Sequence, residues 1–398
     1  MKRVIVVLRS CIIRMIFSLC KIFPVDKNLI VFESEGDYSD NSYALYSYML
    51  EHGYFNKYKA IWLVDKRRNP LAPVKCREIS KIMRYPNPRT LFYLATCQFF
   101  IFDHFNLLGL LSKRKNQYII NLWHGCSFKK GTATITDKAS DTEDFLTVNS
   151  EFWRPIMAKF VCCSENKVWP LGQPRNDFLL SHNEKVKEWL LNNGWLDKKK
   201  IFLWMPTYRK SISKCISEEY YEGETGLPVC YSISDLLHLN EEMKKIDSIL
   251  VIKVHHLQLG YEAYKNKYSN IEILKDEDIQ REGFQLYEVI GFADCLITDY
   301  SSIYTDFLLL DKPIIFTIDD YAEYDSSRGF SIRDSLNYYP GYHVSTIKEL
   351  IMSLKEISDG KDIYKAIRES MIPILNSYVD NRSCERIMGH LEKYDLVL

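Results

Sequence analysis

The sequence predicts an α/β protein made of two Rossmann-like domains, and three observations carry that prediction. After Pro24, short apolar runs of strand length alternate with helical stretches along the chain. That alternation is the signature of parallel sheets covered by helices on both faces. It occurs as two series, separated by the polar stretch 182–200. The 398 residues match two domains of ordinary size, and a hydrophobic content of 46% is ample for two cores.

In the first series the expected strands are Leu29–Phe32, Ala60–Val64, Phe99–Phe102, Tyr118–Leu122 and Phe145–Val148, with helices at Asn41–Glu51 and Arg89–Thr96. In the second they are Ile201–Met205, Ile249–Val254, Ile271–Leu274, Cys295–Thr298 and Ile314–Phe316. Helices are expected near Ser234–Lys245, Leu286–Gly291, Ser302–Leu310 and Ile347–Ile357, and Gly223–Ser232 reads as a surface loop. The division is therefore a segment 1–24, a domain 25–181 and a domain 182–398.

The first 24 residues carry Lys2, Arg3, Arg9, Arg14 and Lys21 and no acid. As a transmembrane helix this segment would place Arg9 and Arg14 near mid-span, at roughly 2.5–3.5 kcal/mol each. As a signal peptide it lacks an uninterrupted apolar core and a small-residue cleavage site. At 100° per residue, Val4, Ile5, Leu8, Ile12, Met15, Ile16, Leu19 and Phe23 share one face and the basic residues fall on the other. That is the pattern of an interfacial helix on an anionic membrane surface. The plainer alternative is a strand at Val4–Leu8 followed by a helix packed on the domain.

Composition excludes several classes. A formal net charge of zero gives no global field for nucleic acid. The eleven cysteines show no metal-ligand spacing, and their odd number argues against a disulfide framework. None of the 16 glycines forms a GxG pair and no GxxxxGK[ST] occurs, so dinucleotide and P-loop fingerprints are absent. Nothing in the sequence calls for a cofactor or a bound metal.

Ligands of open α/β sheets bind beyond the carboxyl ends of the strands, and several polar motifs sit there. In NLWHGCSFKKG, 121–131, His124 follows a strand and precedes Gly125. A histidine so placed can take a proton from an attacking hydroxyl near neutral pH; the alternative is a histidine that only holds a loop. The following Lys129 and Lys130 favour an anionic ligand. In FLWMPTYRK, 202–210, Pro206, Thr207 and Arg209 form a turn that delivers a hydroxyl and a guanidinium suited to phosphate. In LVIKVHHLQ, 250–258, Lys253 precedes the pair His255–His256.

The stretch 293–313 ends a strand at Thr298, continues through Asp299 and Tyr300, and opens an apolar helix at Ser301–Ser302. Hydroxyls and free N–H groups at such a junction suit a phosphate or pyrophosphate, although helix capping is the commoner use of serine there. Asp306, one turn on, is either exposed or a ligand contact. GQPRNDFL, 172–179, places Arg175 near the domain junction.

Taken together, DNSYALYSYM, NLWHGCSFKKG, GQPRNDFL, MPTYR, IKVHH and TDYSSIYTDFLLLDKPIIF resemble, in that order, the CDP-glycerol glycerophosphotransferase family of teichoic-acid primases and polymerases and related capsule enzymes. The resemblance covers roughly residues 28–330. It implies a GT-B fold, two Rossmann-like domains facing across a cleft, with the acceptor domain first and the CDP-donor domain second. It also implies a peripheral place on the cytoplasmic face of the cell membrane. By resemblance His124 matches the family's catalytic base and His255 its second functional histidine. Arg175, Pro206, Thr207, Ser301 and Ser302 fall at donor-binding positions. Gly125, Arg209, Lys253 and Asp306 complete the expected substrate-binding set.

The chain departs from the family at Cys126–Ser127, where Thr-Pro is usual, and at His255–His256, where His-Pro is usual. It lacks the long amino-terminal extension of the large polymerases, which fits a compact, primase-like enzyme. The expected reaction is transfer of glycerol phosphate from CDP-glycerol, or ribitol phosphate from CDP-ribitol, to a lipid-linked saccharide or polymer, releasing CMP. Two other readings stay open on the residues: a GT-B glycosyltransferase using a nucleotide sugar, and a non-catalytic scaffold that binds polymer or membrane.

Overall fold

The computed structural model describes residues 2–65, 73–85, 87–131, 141–207, 223–254 and 260–398, and side chains from residue 10 onward apart from 74 and 75. The chain divides into two compact units. The first comprises Met1–His124, Ala133–Asp177 and Asp380–Leu398; the second comprises Gly125–Thr132 and Phe178–Val379.

The first unit is built on a seven-stranded sheet. Its strands are β1 (Asp26–Glu33), β2 (Lys59–Asp65), β3 (Ser80–Tyr85), β4 (Cys97–Phe102), β5 (Tyr118–Asn121), β6 (Phe145–Thr147) and β7 (Val168–Trp169). The order is β3-β2-β1-β4-β5-β6-β7 and every pairing is parallel. Helices cover both faces, so β4, CQFFIF, is buried at every position. β3, SKIMRY, was not expected: on the sheet edge it buries only Ser80 and Met83 and carries two exposed charges. β7 is only two residues long.

The second unit holds six strands: β8 (Ile201–Trp204), β9 (Ile249–Ile252), β10 (Ile271–Ile273), β11 (Cys295–Thr298), β12 (Ile314–Thr317) and β13 (Tyr342–Val344). Their order is β10-β9-β8-β11-β12-β13, again all parallel. Its core runs from Phe202 and Trp204 through Leu250, Ile252, Cys295 and Ile297 to Leu350 and Leu354. The expected surface loop Gly223–Ser232 is corrected here. Thr225, Leu227, Val229 and Cys230 are buried, and Leu227 pairs with Cys230 in an isolated bridge, because the segment's apolar side chains complete this core.

Besides taking in residues 1–24 and passing to the second unit at Phe178 instead of residue 182, the units depart from the sequence-based division in two further places. Residues 380–398 belong to the first unit. The carboxylate of Asp177 accepts the N–H groups of Ser383 and Cys384, both at 2.8 Å, and so fixes the start of the helix Ser383–Leu391. Tyr58 donates from its hydroxyl to the Asp395 carbonyl at 3.0 Å. The segment Gly125–Thr132 belongs to the second unit, where Lys129 bridges Phe330 in antiparallel fashion and the Lys130 N–H reaches the Gly329 carbonyl at 3.0 Å.

Helix α1 (Lys2–Cys20) is continuous, so the alternative strand at Val4–Leu8 does not form. Phe17, 1% exposed, docks it into the first core beside Leu94 and Ala95 of the helix Pro88–Thr96. Ile12, Met15 and Leu19 of the expected apolar face stay exposed, with Ile22 and Phe23 just beyond. The side chains of Val4, Ile5 and Leu8 lie outside the described ones. No helix among the described residues is long and apolar enough to cross a membrane.

Because Asp177 satisfies two helix-start N–H groups at once, Asp177→Ala is expected to lower the unfolding free energy by roughly 1–3 kcal/mol. Urea unfolding measures the loss, and limited proteolysis should then cut ahead of residue 383.

Candidate active site

Each sheet has one point where its strand order reverses. In the first unit β1 has β2 on one side and β4 on the other; in the second β8 lies between β9 and β11. The crevice at the carboxyl ends of such a strand pair is the expected ligand position in open α/β sheets. The polar motifs that follow β1, β4 and β5 cluster at the first reversal. Those that follow β8 and β11 cluster at the second.

At the first reversal the chain leaves β5 through Leu122, Trp123 and His124. Trp123 has φ +47° and Gly125 has φ +109°. The tryptophan conformation is uncommon for a side-chain-bearing residue and needs outside support. Asn41, fully buried in helix α2 (Asp40–Glu51), supplies it. Its amide nitrogen donates to the Trp123 carbonyl at 2.6 Å, the Leu122 carbonyl at 3.3 Å and Gln173 Oε1 at 2.6 Å. Its oxygen accepts the Arg175 N–H at 3.0 Å. The Arg175 guanidinium grips both Asp40 oxygens at 2.9 and 3.0 Å and donates to the His124 carbonyl at 3.1 Å.

The His124 ring stacks on Trp123, with centroids 4.1 Å apart, and keeps a partly accessible edge. Its Nδ1 lies 3.0 Å from the main-chain carbonyl of Asp103. A carbonyl only accepts, so Nδ1 carries the proton and the lone pair of the ring lies on Nε2. Burial lowers the pKa of the ring, against the smaller raising effect of the Asp103 carbonyl, and nearby His104 lowers it further. His124 is thus a neutral imidazole at neutral pH, the form a general base requires.

At the second reversal Asp299, fully buried at the end of β11, accepts the Thr207 N–H at 2.8 Å and the Thr207 hydroxyl at 2.5 Å. Lys129 Nζ donates to the same hydroxyl at 3.2 Å. Tyr300 donates to Asp320 at 2.9 Å. Ser301 and Ser302 are partly exposed, and the Ser302 side chain makes no capping hydrogen bond to the helix it opens. The helix they open, Ile303–Phe307, has five residues and passes into a 3-10 turn at Leu308–Leu310. So short a helix offers little dipole, and the polar groups gathered here are hydroxyls and the Lys129 ammonium.

The family described as CDP-glycerol:poly(glycerophosphate) glycerophosphotransferase matches residues 15–393. The chain belongs to that family. A teichoic acid poly(glycerol phosphate) polymerase of Bacillus spizizenii is 27% identical over 89% of this chain and 90% of its own length. A teichoic acid glycerol-phosphate primase of Bacillus subtilis is 28% identical over 73% of this chain and 72% of its own. Among solved structures, a variant of the wall teichoic acid polymerase TagF aligns with TM-score 0.78 and 22% identity, covering 98% of this chain and 95% of the solved chain. The fold is of GT-B type, two parallel-sheet α/β units. The protein is a glycerol-phosphate transferase of teichoic-acid-type polymer synthesis.

Within this glycerophosphotransferase, the expected site residues fare unequally. His124 and Gly125 stand at the first reversal; Pro206, Thr207, Ser301 and Ser302 stand at the second. Arg175, expected on the donor phosphates, is 5% exposed and occupied by Asp40 and the His124 carbonyl. Lys253 pairs with Asp276 at 3.0 Å and is also largely buried. Asp306 is fully buried and accepts the Tyr287 hydroxyl at 2.7 Å, so it is neither exposed nor free for a ligand. His255 and Arg209 lie outside the described residues. Among the described residues no group of three or more His, Cys, Asp or Glu side chains is arranged to hold a metal ion.

Sequence reasoning missed Asn41, Glu33 and Asp103. The available signal was a polar residue directly ending an apolar strand, in LIVFE and FFIFD. Burial pushes Glu33 up to about 8, aided by Asp37 and Glu35 and opposed by the Phe105 N–H. Asp103 is also pushed well up, by burial first and then by Asp40 and Glu33. Between about 4.5 and about 8 the folded protein keeps a proton on Glu33 that the unfolded chain has lost. Stability contributed by this group is therefore present at low pH and falls as pH rises through that window, by at most about 1.4 kcal/mol per pH unit. Relative to wild type, Glu33→Gln is expected to gain stability as pH rises from 5 to about 8, measured by urea unfolding at a series of pH values.

Proposed function

We propose that this glycerophosphotransferase joins glycerol phosphate from CDP-glycerol to a hydroxyl of a lipid-linked saccharide or polymer, with His124 as general base. The observation that carries this reading is a neutral imidazole at the strand-order reversal of the first sheet, oriented by its Nδ1 against the Asp103 carbonyl. The acceptor hydroxyl attacks the β-phosphorus of the donor, and its proton passes to Nε2. The bond from that phosphorus to the bridging oxygen breaks, and CMP leaves with the bond's electron pair. Catalysis of this kind is mostly positioning and charge stabilisation.

Lys129, the Thr207 hydroxyl and Ser301–Ser302 are the groups suited to hold the donor phosphates. Arg175 acts one step removed, through the His124 main chain. The resemblance adds His255 as a second functional histidine, and the turn after β8 adds the Arg209 guanidinium as a phosphate contact. TagF crystals soaked with CDPG and a ribitol-phosphate primase among the relatives represent the two donor classes to compare.

The acceptor's lipid tail places the enzyme on the cytoplasmic membrane surface. Supporting this, α1 turns Ile12, Met15 and Leu19 outward while Phe17 fastens it to the domain, and Arg14 is exposed on the same helix.

With CDP-glycerol, CDP-ribitol and a lipid-linked acceptor supplied in turn, CMP release is expected with CDP-glycerol. His124→Ala should lower kcat by about 100-fold or more. No CMP from either donor, or transfer intact in His124→Ala, overturns the mechanism. Replacing Ile12, Met15 and Leu19 together by Glu should abolish co-sedimentation with anionic vesicles without unfolding the protein, since these side chains are exposed. Unchanged co-sedimentation would refute the membrane face.

A further inference from the structure

Two buried carboxyls, Glu33 at the end of β1 and Asp103 just after β4, brace the turn Asp103–Phe105. Glu33 Oε2 accepts the Phe105 N–H at 2.9 Å. Asp103 Oδ1 accepts the Glu35 N–H at 3.1 Å, and its Oδ2 accepts the Ser42 N–H at 2.8 Å in the first turn of α2. The turn is thereby tied to β1 at one end and to α2 at the other. The carbonyl facing His124 Nδ1, that of Asp103, belongs to this braced turn.

We infer that Glu33 and Asp103 are positioning residues for the base: they hold the Asp103 carbonyl where it takes the Nδ1 proton of His124, leaving Nε2 as the acceptor. This rests on the reading of His124 as general base. A neutral imidazole carries its proton on either nitrogen, and only the Nδ1–H form presents a lone pair at Nε2. Without a fixed acceptor at Nδ1 the ring would divide between the two forms and turn more freely. Other charged groups around the turn are Glu35, Asp37, Asp40 and His104, with Glu35 Oε2 3.3 Å from His104 Nδ1. A protonated Glu33 still accepts the Phe105 N–H through Oε2.

The test compares full-length wild type with Glu33→Ala, Glu33→Gln and Asp103→Asn, using CDP-glycerol and a lipid-linked acceptor. Loosening the turn is expected to lower kcat by about 10- to 100-fold in Glu33→Ala, with the donor KM within about twofold. Glu33→Gln, whose amide oxygen still accepts from Phe105, should restore most of the rate. Nitrogen-15 spectra of the histidine side chains should show Nδ1–H at His124 in wild type and Glu33→Gln, and a mixture in Glu33→Ala. Wild-type kcat in Glu33→Ala, or a rate loss that Glu33→Gln does not rescue, overturns the inference. A wild-type His124 protonated on Nε2 overturns it without any variant. If His124→Ala retains transfer, the base reading itself fails; if His124→Ala is inactive and Glu33→Ala is not slowed, only the positioning role fails.

Discussion

The side-chain amide of Asn41 is the contact on which the loop carrying His124 depends. It satisfies two main-chain carbonyls of the loop carrying His124, holds Gln173, and receives the N–H of Arg175. A buried amide left with those partners missing would cost about 1–3 kcal/mol. The larger consequence is geometric. Trp123 sits at φ +47°, a conformation that persists only where its surroundings fix it. Asn41 and Arg175 fix it from the side of α2 and of the helix Arg175–Leu179. The imidazole is then held at three points: its carbonyl by Arg175, its flank by Trp123 and its Nδ1 by Asp103.

The second sheet solves the same problem with a different group. After β8 the chain must turn at Pro206 and present Thr207, and Asp299 from the neighbouring β11 accepts both the N–H and the hydroxyl of that threonine. In each unit, a buried polar side chain beside the strand-order reversal pins the loop that leaves a neighbouring strand. The reversal makes this possible, because strands on its two sides send their connections to opposite directions and leave the carboxyl ends uncovered. Lys129 then reaches Thr207 from a segment that pairs with Phe330, so its ammonium is delivered by main-chain bonding as well as by its flexible stem.

What the sequence made legible follows from these constraints. Central strands such as β4 and β11 were readable because they are buried on both faces and so are apolar throughout. β3 was not, because an edge strand that buries only Ser80 and Met83 resembles a loop or a short helix. His124 and Thr207 were readable because each directly follows such a strand. Asn41 and the true occupation of Arg175 were hidden because their partners are remote in sequence, Asp40 lying 135 residues from Arg175. Gly223–Ser232 misled through its turn residues, although its apolar members complete a core. The return of residues 380–398 to the first unit left no trace in composition; it is set by a carboxylate at Asp177 meeting two helix-start N–H groups.

Electrostatics explains why a histidine serves where so many carboxyls are at hand. Glu33 and Asp103 are deeply buried, and burial raises both. Glu33, pushed up to about 8, keeps its proton at neutral pH and has no base to offer. The same burial acts oppositely on an imidazole: it disfavours the cation, so His124 stays neutral and able to accept. One environment therefore acts in opposite senses on the two kinds of group: it disfavours the charged form of each, holding protons on the acid and off the imidazole.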